Sequence, residues 1–195
     1  MGEEGNLGTA KMAPTIYLAG PEVFHPDALD LGRAKQRLCS ERGWTGLFPL
    51  DGAVEPTGPA IFAANVALIR RADAIIANLT PFRGPSADAG TVWELGFALG
   101  LGKPAAAYRN VADRYFDRVI AWNGAPLTQG KYDRDGLEVE RFGLGDNLMI
   151  DAALIEQGRP VVEQAAAFTD LAGFIICLNC LTPVLTTLVA QKAGP

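Results

Sequence analysis

The sequence is poor in the residues that build metal centres and thiol chemistry. It contains one histidine, His25, and three cysteines among 195 residues. One histidine cannot assemble a metal site alone, and three cysteines do not suggest a disulfide framework. We therefore expect no bound metal, and a cytoplasmic location as the default for such a chain.

Several signature motifs are also missing from the sequence. There is no G-x-x-x-x-G-K-[ST] phosphate loop and no G-x-S-x-G nucleophile elbow. The turn after the first predicted strand is A-G-P-E-V-F, which lacks the G-x-G-x-x-G of dinucleotide-binding folds. We expect no cofactor. The formal net charge is −5 and no basic stripe occurs, so a nucleic-acid polymer is not an expected partner.

The two ends of the chain differ in composition from the middle. Residues 1–13 are polar and glycine-rich, which predicts a flexible lead-in rather than a signal peptide. Residues 171–190 are apolar for long enough to raise the question of a membrane span, although Asn179 and Pro183 interrupt them. We expect a terminal helix packed on the domain or on a second subunit, without membrane contact. The predicted organisation is a lead-in over 1–13, one domain over 14–170 and an apolar extension over 171–195.

Short apolar runs alternate with helical patterns through the first half of the chain. The pattern predicts strands at 15–19, 44–50, 74–78 and 105–108, with helices at 29–42, 60–71 and 90–102. This alternation, with short loops, predicts right-handed βαβ units. The expected fold is therefore α/β, with a doubly wound parallel sheet.

The alternation of strand and helix patterns weakens after Arg109. Residues 110–145 form a polar and aromatic excursion, and a stretch of that length is often functional. A helix is predicted to begin near Asp146, with Asp146 or Asn147 as its N-cap, and another to open at Pro160 and run through Phe168. A fifth strand is expected, with residues 137–142 as its candidate location.

Two carboxylates follow the third predicted strand, within the stretch 78–104. Asp88 lies in a loop rich in proline and glycine, and Glu94 lies in the next helix. Ligands of open α/β sheets bind beyond the carboxyl ends of the strands, where this loop is expected. An inventory of carboxylates, a tyrosine and amides suits glycosidic chemistry, in which a carboxylate attacks an anomeric carbon and an acid assists the leaving group.

Each of these residues also has a purely structural interpretation. Thr91-Val-Trp-Glu94 fits a T-x-x-E capping box, and for Glu94 alone we favour capping over catalysis. An acid such as Asp88 before a helix also suits the positive end of the helix dipole. Tyr17 on the first strand is by default a core tyrosine, and Asn65 an ordinary amide. Adjacent parallel strands would nevertheless direct Tyr17 and Glu94 to the same crevice.

The combination of motifs changes this balance. The sequence resembles the nucleoside 2-deoxyribosyltransferase family from about Thr15 to about Phe168. The most specific segment is D-x-G-T-x-x-E-L-G around Glu94. The other matching segments are Y-L-A-G-P from Tyr17, N-x-x-L-I-x-x-A-D from Asn65, N-L-x-P-F-R-G from Asn78, and D-N-L-M from Asp146.

The resemblance implies a flavodoxin-like sheet of about five strands with helices on both faces. It implies transfer of 2-deoxyribose between purine or pyrimidine bases by double displacement, in nucleoside salvage. Glu94 matches the family nucleophile, which the helix N-terminus would help to keep ionised. Tyr17 matches the tyrosine that orients it. Asp88 would hold the sugar 5′-hydroxyl or relay a proton, and both roles stay open.

The resemblance also implies the substrate-binding residues, which are Asn65, Phe24, Gly20, Asn147 and Met149. Asn65 stands where some members carry an aspartate, so a proton-donor role there is in doubt. Asn147 and Met149 match residues that the family supplies from a neighbouring subunit, which implies a homo-oligomer, a dimer or a multiple of dimers. Two alternatives remain: a hydrolase of deoxynucleoside 5′-monophosphates, and a non-catalytic nucleoside-binding module.

Overall fold

The protein folds around one parallel five-stranded sheet. The computed structural model describes residues 13–52 and 54–192, so nearly all of the predicted lead-in lies outside the described residues. The strand order is β2-β1-β3-β4-β5. The strands are β1 Thr15–Ala19, β2 Thr45–Leu47, β3 Ala74–Asn78, β4 Ala105–Arg109 and β5 Val162–Glu163. This is the flavodoxin-like order, so the expected fold class is confirmed.

Helices cover both faces of the sheet. They are α1 Ala28–Ser40, α2 Gly58–Arg71, α3 Ala89–Gly100, α4 Tyr115–Asn123, α5 Leu148–Glu156 and α6 Ala172–Lys192, with a single 3-10 turn at Pro21–Phe24. Side chains of a strand alternate between faces. Ile16 and Leu18 therefore join the core beneath α1 and α6, while Tyr17 joins the core beneath α2, α3 and α5.

The region after α5 differs from the prediction. The helix predicted from Pro160 is wrong, because the chain there forms the short edge strand β5, which pairs with β4 through Tyr108 and Val162. Proline lacks an N–H but is tolerated beside an edge strand. The candidate fifth strand at 137–142 is also wrong. That segment belongs to the excursion, where Glu138 forms an isolated antiparallel bridge with Tyr132.

The apolar C-terminal run forms α6, which lies against the sheet. Its inward residues Phe174, Cys177, Leu178, Leu181 and Leu185 are fully buried. By length and composition alone the segment Ala172–Gln191 could cross a membrane, with a mean hydropathy of 1.9. Core helices pass the same test. Here the buried face of α6 supplies a large part of one of the two cores.

A charged pair is buried in the core beneath α1 and α6. Glu22 and Lys35 form an ion pair although their side chains are only 3% and 1% exposed. The same oxygen of Glu22, Oε1, accepts hydrogen bonds from Asn78 Nδ2 at 2.7 Å and from the Tyr108 hydroxyl at 3.0 Å. Burial alone would raise the pKa of Glu22, but the charge of Lys35 and the hydrogen bonds from Lys35 and Asn78 bring it below its ordinary value. Glu22 is therefore ionised in the fold.

Breaking this pair should be costly. We expect Lys35→Met to lower the free energy of unfolding by about 3–5 kcal/mol, because Glu22 then stays charged without its counter-ion. The double variant Lys35→Met/Glu22→Gln should recover most of that loss, since it removes both charges and keeps an acceptor for Asn78. Urea unfolding followed by circular dichroism measures the effect.

An exposed ion pair provides the control. Arg33→Met breaks the surface pair with Asp30, whose side chains are 57% and 76% exposed, and should change stability by less than about 1 kcal/mol. A double variant no more stable than Lys35→Met would contradict the prediction.

Candidate active site

The proposed nucleophile lies in a hydrogen-bonded group on the α2 and α3 side of the sheet. The Tyr17 hydroxyl donates to Glu94 Oε1 at 2.6 Å, and Asn65 Nδ2 donates to the same oxygen at 3.4 Å. β1, α2 and α3 each supply one of the three residues. The expected meeting of Tyr17 with Glu94 is therefore present, although 77 positions separate them in sequence.

Burial controls the ionisation of this group. Burial, aided by the charge of Asp88, raises the pKa of Glu94 to about 7, against the lowering effect of the Tyr17 and Asn65 hydrogen bonds. Glu94 is the sixth residue of α3, beyond the first turn where the helix dipole acts. The expectation that the helix N-terminus keeps Glu94 ionised is thus wrong. The tyrosine and the amide are what favour the charged form.

Asp88, not a capping box, begins α3. Asp88 Oδ2 accepts from the Thr91 backbone N–H at 2.8 Å and from the Thr91 hydroxyl at 2.9 Å. Thr91 lies within the helix, so the predicted T-x-x-E box is wrong. Glu94 is consequently free of any capping duty, and its contacts are those with Tyr17 and Asn65.

An aromatic platform borders the carboxyl ends of β1 and β3. Phe24 stacks on Phe82 with ring centroids 5.0 Å apart and an interplanar angle of 16°. The guanidinium of Arg83 lies 5.2 Å from the Phe24 centroid and 4.5 Å from that of Phe82. Phe24 is 56% exposed, so the platform presents apolar surface to solvent. The stacking of Phe82 and Arg83 on Phe24 was not predicted from the sequence, although the P-F-R-G motif contains both residues.

Gly20 is required by its surroundings. A Cβ atom at this position would lie 1.9 Å from Glu22 Oε2 and 3.0 Å from Asn78 Cβ. The absence of a side chain at this position therefore makes room for the buried Glu22 carboxylate. Packing alone accounts for a glycine here, whether or not a ligand binds beside it.

Asn147 and Met149 are not brought to Glu94 within the chain. Asn147 caps α5, as predicted, by accepting from the Met149 N–H at 3.0 Å, and its Nδ2 donates to Glu140 at 2.6 Å. The Met149 side chain points outward, with the residue 73% exposed. Glu140 was not found from the sequence, because nothing in the excursion marks it.

A clamp joins the Asp88 loop to the start of α5. Buried Asp146 accepts hydrogen bonds from the Ser86 hydroxyl and from the Ala87 N–H, the latter at 2.9 Å. Arg118 donates to Pro85 O at 2.8 Å and to Gly145 O at 2.5 Å. The loop before Asp88 and the segment before Asn147 are thus held as one unit. Within residues 13–52 and 54–192, no cluster of His, Cys, Asp or Glu could hold a metal ion.

The raised pKa of Glu94 predicts a pH-dependent stability. The folded state keeps this proton up to about pH 7, whereas an ordinary glutamate releases it near 4.5. The resulting stability is fully present below pH 4.5 and is lost as the pH rises through 7. We expect wild type to lose about 1–3 kcal/mol relative to Glu94→Gln between pH 4.5 and 8. Denaturant unfolding at both pH values measures this.

The matched control is Glu138→Gln, at a glutamate whose side chain is 65% exposed. This variant should follow wild type at both pH values. Parallel curves for wild type and Glu94→Gln would contradict the assignment of a buried, proton-holding Glu94.

The comparisons with known proteins identify the family. The family model for nucleoside 2-deoxyribosyltransferase matches residues 16–149. An uncharacterized protein of Schizosaccharomyces pombe is 33% identical over 181 residues, covering 77% of this chain and 86% of the relative. The solved structure of a 2-deoxyribosyltransferase from Leishmania mexicana is 33% identical, with 84% of this chain and 97% of that chain covered and a TM-score of 0.62. The chain belongs to the nucleoside 2-deoxyribosyltransferase family and is an enzyme of the transferase class.

Proposed function

We propose that the protein transfers 2-deoxyribose from one nucleobase to another through a covalent deoxyribosyl ester on Glu94. The observation that carries this proposal is the 2.6 Å hydrogen bond from Tyr17 to a largely buried Glu94 carboxylate. A carboxylate attacking an anomeric carbon must be ionised and oriented. With a pKa of about 7, Glu94 is ionised in a substantial fraction of molecules at neutral pH.

The hydrogen bonds distinguish the two oxygens of Glu94. Tyr17 and Asn65 both donate to Oε1, which leaves Oε2 as the oxygen that attacks C1′. Burial and the charge of Glu94 raise the pKa of Tyr17 far above its ordinary value, so the phenol keeps its proton and continues to donate. Tyr17 thus orients the nucleophile. The buried Asn65 Oδ1 has no partner among the described residues and can accept a hydrogen bond from the sugar or the base.

The second half-reaction needs an acceptor base instead of water. We propose that a second copy of the chain covers the site and contributes Asn147 and Met149. The exposure of Met149 supports this, as does an exposed aromatic strip beside Glu94. In that strip Trp93 contacts Phe62 with centroids 5.3 Å apart. A chain covering the strip would exclude water from the ester.

Hydrolysis of deoxynucleoside 5′-monophosphates is the competing activity. A phosphate site there would need a hydroxyl as well as a cation of the 83–86 loop. The Ser86 hydroxyl is committed to buried Asp146, so Arg83 would have to hold a phosphate without it. We therefore favour neutral deoxynucleosides as substrates, with salvage in the cytoplasm as their setting.

The proposed activity predicts base exchange. Incubation with deoxyinosine and adenine should yield deoxyadenosine and hypoxanthine, resolved by liquid chromatography. Glu94→Gln should lower the rate of exchange by at least about 10³-fold, because glutamine keeps the shape and position of the side chain but not the nucleophilic carboxylate. Wild-type enzyme trapped with deoxyinosine alone should gain the mass of one deoxyribosyl group on the peptide that contains Glu94.

Two results would count against the transferase. Free deoxyribose without deoxyadenosine would indicate a hydrolase. Exchange by Glu94→Gln at the wild-type rate would indicate another nucleophile.

A shared site predicts complementation between inactive chains. Met149→Glu should lower exchange strongly, by placing a charge in the partner's site. Mixing it with Glu94→Gln chains should restore about a quarter of wild-type activity, because half of randomly mixed dimers are mixed and each has one intact site. The control is Ile155→Glu, at a 51% exposed residue of the same helix, which should stay active. Two inactive chains that stay inactive after mixing and refolding would contradict the shared site.

A further inference from the structure

Arg83 is held in an unusual backbone conformation beside the aromatic platform. Its φ is 55°, in the left-handed region that residues with side chains rarely adopt. The next residue is Gly84, which would adopt this conformation more easily. The turn is closed by the hydrogen bond from Phe82 N–H to Ser86 O at 3.0 Å. The fold thus holds an arginine where a glycine would be less strained, which points to a use for the side chain.

The guanidinium of Arg83 has ring contacts but no anionic partner. Its contacts are those with Phe24 and Phe82, and it forms no ion pair with any carboxylate in the described part of the chain. Arg83 is exposed. A guanidinium is permanently charged and pairs well with planar anions that it can also stack against. An unpaired cation on the wall of a base-binding site therefore suits an aromatic anion.

The proposed reaction generates such an anion. As Glu94 Oε2 bonds to C1′, the bond from C1′ to the base nitrogen breaks, and its electron pair stays on the nitrogen. The departing base is then negatively charged until it takes a proton from water as it leaves the site. In the return step the acceptor base gives its N–H proton to water and attacks C1′, the ester bond breaks, and its electron pair returns to Glu94. Over the complete exchange the departing base takes up one proton and the acceptor base releases one, so no net proton is consumed.

Asp88, the other carboxyl group near Glu94, has its Oδ2 occupied by hydrogen bonds from the Thr91 N–H and hydroxyl. The remaining groups are poorly suited to protonate the departing base. Asn65 carries an amide, which is not an acid at neutral pH. The Tyr17 proton is committed to Glu94 Oε1. His25 follows Phe24 but faces away from the platform, with its ring stacked 6.1 Å from Phe168 and its Nδ1 accepting from the Asp27 N–H. A charge on the base thus needs stabilisation from another group.

We propose that Arg83 stabilises the negative charge on the departing base, by contact with the base as it leaves between Glu94 and the platform. The position of Arg83 agrees with this role, because Phe24 and Arg83 follow the adjacent parallel strands β1 and β3 and meet across their carboxyl ends. This assignment rests on the proposed base exchange. It makes Arg83 a catalytic residue that the family motif alone did not identify.

The test compares leaving bases of different acidity. Deoxynucleosides whose bases span a range of N–H acidities are reacted with one acceptor, and log(kcat/KM) is plotted against the pKa of the free base. In Arg83→Met the plot should become steeper. The rate should fall about 10- to 100-fold for the least acidic bases and little for the most acidic, because stabilisation of a developing anion matters most for poor leaving groups. Arg83→Lys, which keeps the charge, should recover part of the loss.

The control is Arg141→Met. Arg141 makes the same kind of contact, 4.5 Å from the Phe116 centroid, but in the excursion. It should leave both slope and rates unchanged. An equal loss for all bases in Arg83→Met, or no loss, would overturn the role of Arg83 while leaving base exchange intact. Absence of exchange in wild type would instead overturn the proposed function.

Discussion

The site depends on keeping a carboxylate partly out of water while leaving it able to ionise. Burial between β1, α2 and α3 raises the pKa of Glu94, and two donors on one oxygen oppose that rise. Of the two hydrogen bonds, the one from Tyr17 has the larger effect, because it is shorter than that from Asn65 and because Tyr17 is itself inaccessible to solvent. The tyrosine cannot move without disturbing the central strands that pair on either side of it. Orientation of the nucleophile is thus built into the sheet.

The two faces of the sheet each carry a buried or partly buried glutamate near the carboxyl ends of the strands. One face carries Glu94, whose charge is disfavoured by burial. The other carries Glu22, whose charge is secured by Lys35 and by hydrogen bonds from Asn78 and Tyr108. Glu22 lies in the turn that holds Phe24, and Asn78 ends the strand that leads to Phe82. Glu22, paired with Lys35, therefore helps to fix the scaffold, although its second oxygen, Oε2, is buried without a hydrogen-bond partner. Glu94, in contrast, forms no ion pair within the described part of the chain.

The sequence pattern predicted those strands and helices whose residues carry a clear apolar run or period. Central strands such as Ala74–Asn78 are continuous apolar runs, and parallel packing of neighbouring strands was enough to bring Tyr17 to Glu94. The two-residue strand Val162–Glu163 has no period to detect and exists only because β4 offers a free edge. The ionisation of Glu94 and the stacking of Arg83 depend on residues distant in sequence, so neither could be foreseen from the motif around them.

The Asp146 clamp would couple neighbouring sites if the chain forms the proposed oligomer. The Asp146 carboxylate accepts a hydrogen bond from the loop that leads to Asp88, and the next residue is Asn147, whose amide donates to Glu140. In an oligomer with shared sites, a single side chain would join the sugar-binding loop of one site to a wall of the next. Displacement of that loop by a bound nucleoside would be transmitted to the neighbouring site. The rate of turnover at one site would then depend on whether the next site is occupied.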